Sequence, residues 1–358
     1  QSAWYRPNGF GKHDWIYCML LNFGGRVGLH GRMDALIKGY YDARQKKGKT
    51  LKGVGATAEA IENNPVMFEL LYELPWRGSK RFTKEDWLPA YTAARYGSAN
   101  QAVNQAWKLL AEGPYDCPRN YRGQGPVESY FCARPGFFRR SASTWGCADL
   151  FYNSSLTRRA AQLMLSASSE LGGNANYRYD LVDIVRQCVS DAANDLYGQI
   201  NNAYKTRDAD RLQALSDTFL HYLLMQDKLL ATQTDFRVGH WLGQARSLSK
   251  QPEVQKLYEW NARTLITVWG NREASERGGL HDYSGREWNG LLADFYYPQW
   301  KRFFDNAVKQ LRGESSPPVD FFKMEEQWTR DTKAYPSQGE GDAVALAKEV
   351  LAEISKKP

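Results

Sequence analysis

The sequence predicts a mainly α protein. An all-α helical domain covers residues 81–358, and residues 1–80 before it carry two βα units of the kind that end a (β/α)8 barrel. Three observations lead there. Two strand-type runs near the N-terminus are each followed by a helical pattern. After Arg77 strand patterns stop and only helical periodicity remains. A carboxylate, Glu59, stands between the second strand end and the next helix, where α/β barrels place catalytic groups. At this level Glu59 has two readings, a catalytic group or a solvated loop residue.

The first strand run is Asp14 to Phe23, near-continuously apolar and closed by Gly24 and Gly25, as suits a strand buried on both faces. A helix follows from about Gly31 to Arg44, with Met33, Leu36, Ile37 and Tyr40 on one face. Leu51 to Ala56 reads as a second buried strand end. Asn64 and Pro65 then give an N-cap and a first-turn proline, and Val66, Phe68, Leu70, Leu71 and Leu74 carry the helix on. Two βα units cannot close an eight-stranded barrel, so residues 1–80 read as the last quarter of a longer domain.

Beyond Arg77, Thr83 caps a helix to Arg95 with Gly97 as its stop, and Ser98 precedes another to Glu112. Residues 114–145 are long, proline-broken and aromatic, the pattern of a loop that is functional or packed by its own side chains. Helices are expected at about 147–171, 179–205, 209–232, 235–249, 253–268, 283–312, 318–334 and 341–355. A glycine-rich loop from Val268 to Tyr283, carrying Trp269, His281 and Asp282, interrupts them. Either it carries function, or Trp269 plugs helix ends and Asp282 caps the next helix.

Composition narrows the function classes. The 358 residues suffice for two or three domains. The 12 Trp and 21 Tyr suit large cores or sugar-stacking surfaces. The net charge of +7 is spread out, with short clusters such as Lys46-Lys47-Gly48-Lys49 and Arg139-Arg140, which argues for a solvated surface and against nucleic acid. No apolar run approaches a membrane span. The chain starts at Gln1 without Met or a leader pattern and reads as processed or truncated. Five Cys lack a Cys-x-x-Cys spacing and five His lack ligand spacing, so no metal site is expected. Cys117 and Cys132 are candidates to pair in an oxidising compartment, and the odd count leaves a thiol over. Cys18 and Cys188 fall in apolar patterns and read as core residues.

An ordered set of short motifs is more specific. Asn22-Phe23-Gly24-Gly25, the stretch Thr57 to Pro65, Glu73-Leu74-Pro75-Trp76-Arg77 and Ala94-Arg95-Tyr96-Gly97 occur in that order. Tyr177 to Leu181, Leu265 to Gly270, Asp282-Tyr283 and Tyr335-Pro336-Ser337 follow. Together they resemble the α-N-acetylglucosaminidases of glycoside hydrolase family 89, over essentially the whole chain but only the second half of a full-length member.

The resemblance implies a barrel end followed by a helical domain that leans over the barrel mouth. It implies a retaining, exo-acting enzyme that removes terminal α-linked N-acetylglucosamine through a glycosyl-enzyme, without a cofactor. Glu59 matches the nucleophile. The acid/base glutamate has no counterpart here, and Glu62 and Glu73 are expected to be a first-turn dipole partner and a structural glutamate. Trp269 matches a pocket tryptophan; Leu280, His281 and Tyr283 fall beside the pocket loop; Asn22 is placed to bond a sugar hydroxyl. Expected partners are a carbohydrate and the upstream half of the enzyme, with a homo-oligomer left open. The implied location is extracytoplasmic: periplasmic or secreted, lysosomal in a eukaryote. The isolated chain is expected to be inactive and poorly soluble, because two barrel strands leave unpaired edges.

The chain departs from the family at Leu21, where His often stands, and at Ala58 and Ala60, where Pro and Gly flank the nucleophile. Two rival readings therefore accompany the first: a hydrolase of another α-linked sugar, and a non-catalytic sugar-binding or scaffold module.

Overall fold

The computed structural model describes residues 3–60 and 63–356. Its only strands among these residues are β1, Trp15–Leu21, and β2, Leu51–Ala58, which pair in parallel with Tyr17 opposite Val54 and Leu21 opposite Ala58. Helix α1, Met33–Lys47, makes the crossover between them, as a parallel pair requires. The packing is close: a Cβ on Gly39 would lie 2.3 Å from the Tyr17 hydroxyl oxygen, so a side chain there would displace the Tyr17 ring.

The strands are not buried on both faces as their apolar runs suggest. Along β1 burial alternates: Trp15, Tyr17 and Met19 are partly buried, while Ile16 and Leu20 are about half exposed at 53% and 48%. Cys18, expected in the core, is exposed on that same face. The pleat sends alternate side chains to opposite faces, and here one face has a helical layer and the other has none. The register puts Gly53, Gly55 and Thr57 of β2 beside Ile16, Cys18 and Leu20.

Helix α2, Pro65–Glu73, follows with proline in its first turn. Asn64 holds the N-cap position but makes no side-chain cap bond. Its left-handed backbone (φ 53°) turns the amide inward instead. There Nδ2 donates to Asn22 Oδ1 and Gly28 O at 3.1 Å each, and Oδ1 accepts from His30 N at 3.0 Å and the Tyr115 hydroxyl at 3.1 Å. Long-range partners outcompete the local cap. Glu73 is structural as expected, accepting from Trp87 Nε1 at 2.9 Å and pairing with Arg77; Glu62 lies outside the described residues.

The rest is helical. Lys84–Tyr96 (α3) starts with a Thr83–Asp86 capping box, and Gln101–Glu112 (α4) is capped by Asn100 rather than Ser98. Then come α5, Ser154–Ser166, α6, Ser168–Leu171, α7, Ala175–Lys205, and α8, Ala209–Leu230. They are followed by α9, Val238–Ser247, α10, Pro252–Leu265, α11, Arg272–Glu276, α12, Tyr297–Leu311, α13, Phe321–Thr329, and α14, Ala343–Glu353. The expected helix from 147 starts only at Ser154, where Asn153 caps it. That from 283 starts near Leu291, with a π-helical turn at Leu292–Tyr296 before α12.

Helix α7 is the centre of the domain, packed against α5, α8 and α14 and buried on most of its circumference. Its Asp180 takes Arg95 Nε and Nη2 of α3 at 2.5 and 2.8 Å and the Tyr96 hydroxyl at 2.6 Å, a charge satisfied on every side. Residues 113–153 pack through their own side chains, as Tyr121 on Phe151 at 4.8 Å, and onto α7, where Tyr130 stacks on Tyr197 at 3.9 Å. All five cysteines are free thiols, Cys117 and Cys132 included. Among the described residues no helix is long and apolar enough to cross a membrane.

Candidate active site

Glu59 follows the last residue of β2 and is exposed. Its Oε2 accepts the Gly24 N–H at 2.5 Å and lies 3.3 Å from the Tyr283 hydroxyl. One donor comes from the turn after β1, the other from the loop of the helical domain, so both parts of the molecule converge on this carboxylate.

The turn explains the first contact. Asn22 and Gly24 have left-handed backbones (φ 58° and 65°), and Gly25 lies at φ 81°. A Cβ on Gly24 would meet the Tyr283 carbonyl oxygen at 2.5 Å, and one on Gly25 would meet an Arg286 nitrogen at 1.9 Å. The paired glycines let the 283–286 loop sit directly on the strand end.

Two polar ties hold that loop, and a third ties α7 to the segment after β1. Arg26 Nε donates to the Tyr283 carbonyl at 3.2 Å, and its guanidinium reaches Ser143 and Glu128 in the long loop. From α7, Arg186 pairs with Glu287 at 2.6 Å and donates to the Val27 carbonyl at 3.0 Å, bridging loop and barrel segment. Gln187 accepts from Leu29 N at 2.9 Å beside it. Buried charges in this clamp are each hydrogen-bonded, as burial demands.

Over Glu59 lies a cleft of about 300 Å³ lined by Gly24, Glu59, Trp241, Leu265, Trp269 and Arg286 among others, a size suited to a small ligand. Trp269 stands after α10 with a left-handed backbone (φ 64°), unusual for an aromatic residue. Its ring meets Tyr283 edge-on at 5.3 Å. Below it Arg263, fully buried in α10, pairs with Glu259 at 2.8 Å and donates to the Lys333 carbonyl at 2.8 Å, fixing that helix on the segment after α13.

The structure thus brings Glu59, Trp269 and Tyr283 together. It does not bring the other expected residues into the cleft. Asn22 is 1% exposed and its amide is already used, donating to Ala60 O and Asn63 O at 2.8 Å each and accepting from Asn64; it shapes the turn rather than facing a sugar. Leu280 and His281 lie beside the cleft without lining it, and His281 Nδ1 is 2.9 Å from Asp282 Oδ2. Sequence reasoning missed Trp241 and Arg286 as lining residues and the Gly24 N–H as a donor. The double glycine was the one signal that a close backbone approach occurs there. Burial pushes the Tyr283 phenol above its usual range and the Glu59 charge adds to it, so the hydroxyl stays a donor.

The fold and cleft define a barrel mouth roofed by a helical domain, with a strand-end carboxylate between aromatic walls. Comparison with known proteins narrows this. The model of the "Alpha-N-acetylglucosaminidase (NAGLU) C-terminal domain" matches residues 87–353, and that of the "tim-barrel domain" matches residues 1–78. Human α-N-acetylglucosaminidase is 31% identical over 98% of this chain and 46% of its own length. A family 89 glycoside hydrolase from Clostridium perfringens, solved with PUGNAc, superposes with a TM-score of 0.90 at 33% identity, covering 94% of this chain and 39% of that one. The same enzyme with two glutamate-to-glutamine substitutions, solved with its substrate GlcNAc-α-1,4-galactose, gives 0.92 at 32% identity over 98% and 41%. The chain belongs to the α-N-acetylglucosaminidase family, glycoside hydrolase family 89, and spans less than half the length of these relatives.

Proposed function

We propose that this chain supplies the nucleophile side of a retaining exo-α-N-acetylglucosaminidase. The observation that carries the reading is Glu59 itself. It is a carboxylate at the C-terminal end of a barrel-type strand, held by two donors on Oε2, beneath Trp269. With both donors on one oxygen, Oε1 attacks the anomeric carbon as the glycosidic C–O bond breaks; the aglycone leaves with a proton from the acid/base, and water then hydrolyses the glycosyl-enzyme. The second carboxyl of a retaining pair sits roughly 5 Å away across the bond. Glu59 is the only carboxylate among the described residues lining the cleft, so the acid/base comes from an upstream barrel segment.

Trp269 walls the sugar or its acetamido methyl with an apolar face. Tyr283 and the Gly24 N–H hold Glu59 Oε2 in place and leave Oε1 free to face the sugar. The partner is a glycan ending in α-linked N-acetylglucosamine, no cofactor takes part, and the setting is extracytoplasmic. The relatives' names and bound molecules support the sugar assignment.

The test is hydrolysis of an aryl α-N-acetylglucosaminide by this chain joined to an upstream barrel segment of the length its relatives carry. Glu59→Ala is run beside it, with the product anomer followed by NMR. Release of the α anomer first, lost in the variant and partly rescued by azide as the β-glycosyl azide, is expected. Turnover that survives Glu59→Ala, or a β product formed first, overturns the reading.

A further inference from the structure

We infer that Asp282 is a positioning residue for the reaction: its buried carboxylate fixes Tyr283 and Trp269 over Glu59 without touching the substrate. This rests on Glu59 being the reacting carboxylate.

Asp282 is 1% exposed and stands next to the residue that reaches Glu59. Its backbone is left-handed (φ 60°), a conformation that asparagine and aspartate tolerate better than most residues. The side chain ties separate elements together. Oδ1 accepts the Tyr296 hydroxyl at 3.0 Å, from the π-helical turn before α12. Oδ2 accepts the Arg134 N–H at 2.9 Å, from the long irregular segment, and meets His281 Nδ1 at 2.9 Å. The backbone adds two more links: its N–H donates to the Thr267 carbonyl at 2.9 Å, and its carbonyl accepts from Gly285 N at 3.0 Å.

The first of these fixes the 282 turn against Thr267, two residues before Trp269. The second closes the turn that carries Tyr283. Arg134 is itself held, pairing with Glu325 of α13 at 2.5 Å. A carboxylate with this many donors is far more than a cap of the following helix. That helix begins only near Leu291, beyond the reach of a local cap. The network has no opening to the cleft, so its effect on chemistry runs through the geometry of Tyr283 and Trp269.

The test compares Asp282→Gly with Asp282→Asn in the chain joined to its upstream barrel. Glycine keeps the left-handed backbone and deletes every side-chain bond. Asparagine keeps the backbone, accepts from Arg134 through its oxygen and can donate to Tyr296. For Asp282→Gly, kcat on the aryl glycoside is expected to fall about 100-fold, the scale of a 1 Å misplacement. Asparagine is expected to recover most of that loss.

A role through Tyr283 also predicts non-additivity. In a Tyr283→Phe background Asp282→Gly should cost much less than it does alone. A crystal structure of Asp282→Gly should show the Tyr283 hydroxyl withdrawn from Glu59. If it stays within hydrogen-bond distance, if the two substitutions multiply independently, or if asparagine is no better than glycine, the inference falls. Where Asp282→Gly does not fold, Tyr296→Phe removes one donor and should shift kcat in the same direction, more weakly; an unchanged kcat overturns the idea. A wild-type protein inactive on this glycoside bears on the hydrolase reading alone, because the crystallographic comparison needs no substrate.

Discussion

The Tyr283 hydroxyl lies 3.3 Å from Glu59 Oε2, joining the helical domain to the end of β2 across 224 positions of sequence. The same oxygen takes the Gly24 N–H, so one atom of the proposed nucleophile is shared between strand turn and roof loop.

Tyr283→Phe isolates that bond. It keeps the ring against Trp269 and removes only the donor. Losing it leaves Oε1 less well aimed; a 1 Å misplacement costs about 100-fold, and with the Gly24 N–H still in place kcat should fall roughly tenfold. KM should barely change, because the hydroxyl binds the enzyme's carboxylate in free enzyme and complex alike. Steady-state kinetics in the chain joined to its upstream barrel settle it; a rise in KM at constant kcat would instead make Tyr283 a substrate ligand.

Gly24→Ala should damage both donors at once. At φ 65° an L side chain is strained, and the new Cβ would also sit 2.5 Å from the Tyr283 carbonyl. Gly97→Ala is the control: φ is 79° and ψ −2° there, a backbone like that of Gly24 (ψ −3°), but nothing lies within 4 Å. The control should lose about 1 kcal/mol from backbone strain, and Gly24→Ala about 2–3 kcal/mol. Chemical denaturation of the two variants measures the difference, and equal losses would mean that the loop does not press on Gly24.

Trp269 reverses the usual order of alanine and glycine. In most positions Gly is less stable than Ala by its greater unfolded-state entropy. At φ 64° the left-handed backbone penalises Ala by about 1–2 kcal/mol. Trp269→Gly is therefore expected to be more stable than Trp269→Ala, while both weaken binding of 2-acetamido-1,2-dideoxynojirimycin, an inhibitor found bound to the Clostridium enzyme. Melting curves and calorimetric titration provide the two readouts.

His30 should make the fold acid-sensitive. Burial lowers its pKa to about 3, with Arg32 and Arg26 adding to the effect, so the ring is neutral in the folded state. The unfolded ring titrates near 6.5, and between these values the unfolded state binds more protons. Stability is thus whole above pH 6.5 and falls as pH drops toward 3. Asp183, Asp191 and Asp227, pushed up to about 6 by burial, have the opposite slope: their neutral forms favour the fold as pH falls below 6. His30→Gln separates the two: between pH 7 and 4 its denaturation midpoint should shift upward relative to that of the parent, and an unchanged difference would remove His30 from the account.

Much of the fold was legible locally. Thr83 marked the start of α3, and Gly97 its end. The helix expected at about 179–205 is α7, because helix faces are written at i, i+3 and i+4. The parallel pair around α1 followed from run lengths and glycines. What failed locally failed for a stated reason: Asn64 had the signature of a cap but found better partners in Asn22, His30, Gly28 and Tyr115. Helix starts at 154 and 291 were likewise set by Asn153 and by Asp227 of α8, whose carboxylate takes Gly290 N at 2.7 Å and Ala293 N at 3.1 Å, not by periodicity.

The sequence by itself determined the order of the elements, the place of Glu59 at a strand end and the aromatic supply near Trp269. These depend on neighbours a few residues apart. Only the tertiary structure decided which side chains share the cleft. It brought Gly24 and Tyr283 onto one carboxylate oxygen and moved Asn22 from a ligand role to a scaffold one. It also added Trp241 and Arg286. The physical reason is that a short-range pattern encodes burial and periodicity. Hydrogen-bond partners hundreds of residues apart are chosen by packing, through Arg186, Arg26 and Asp282, which carry no local signal of the elements they join.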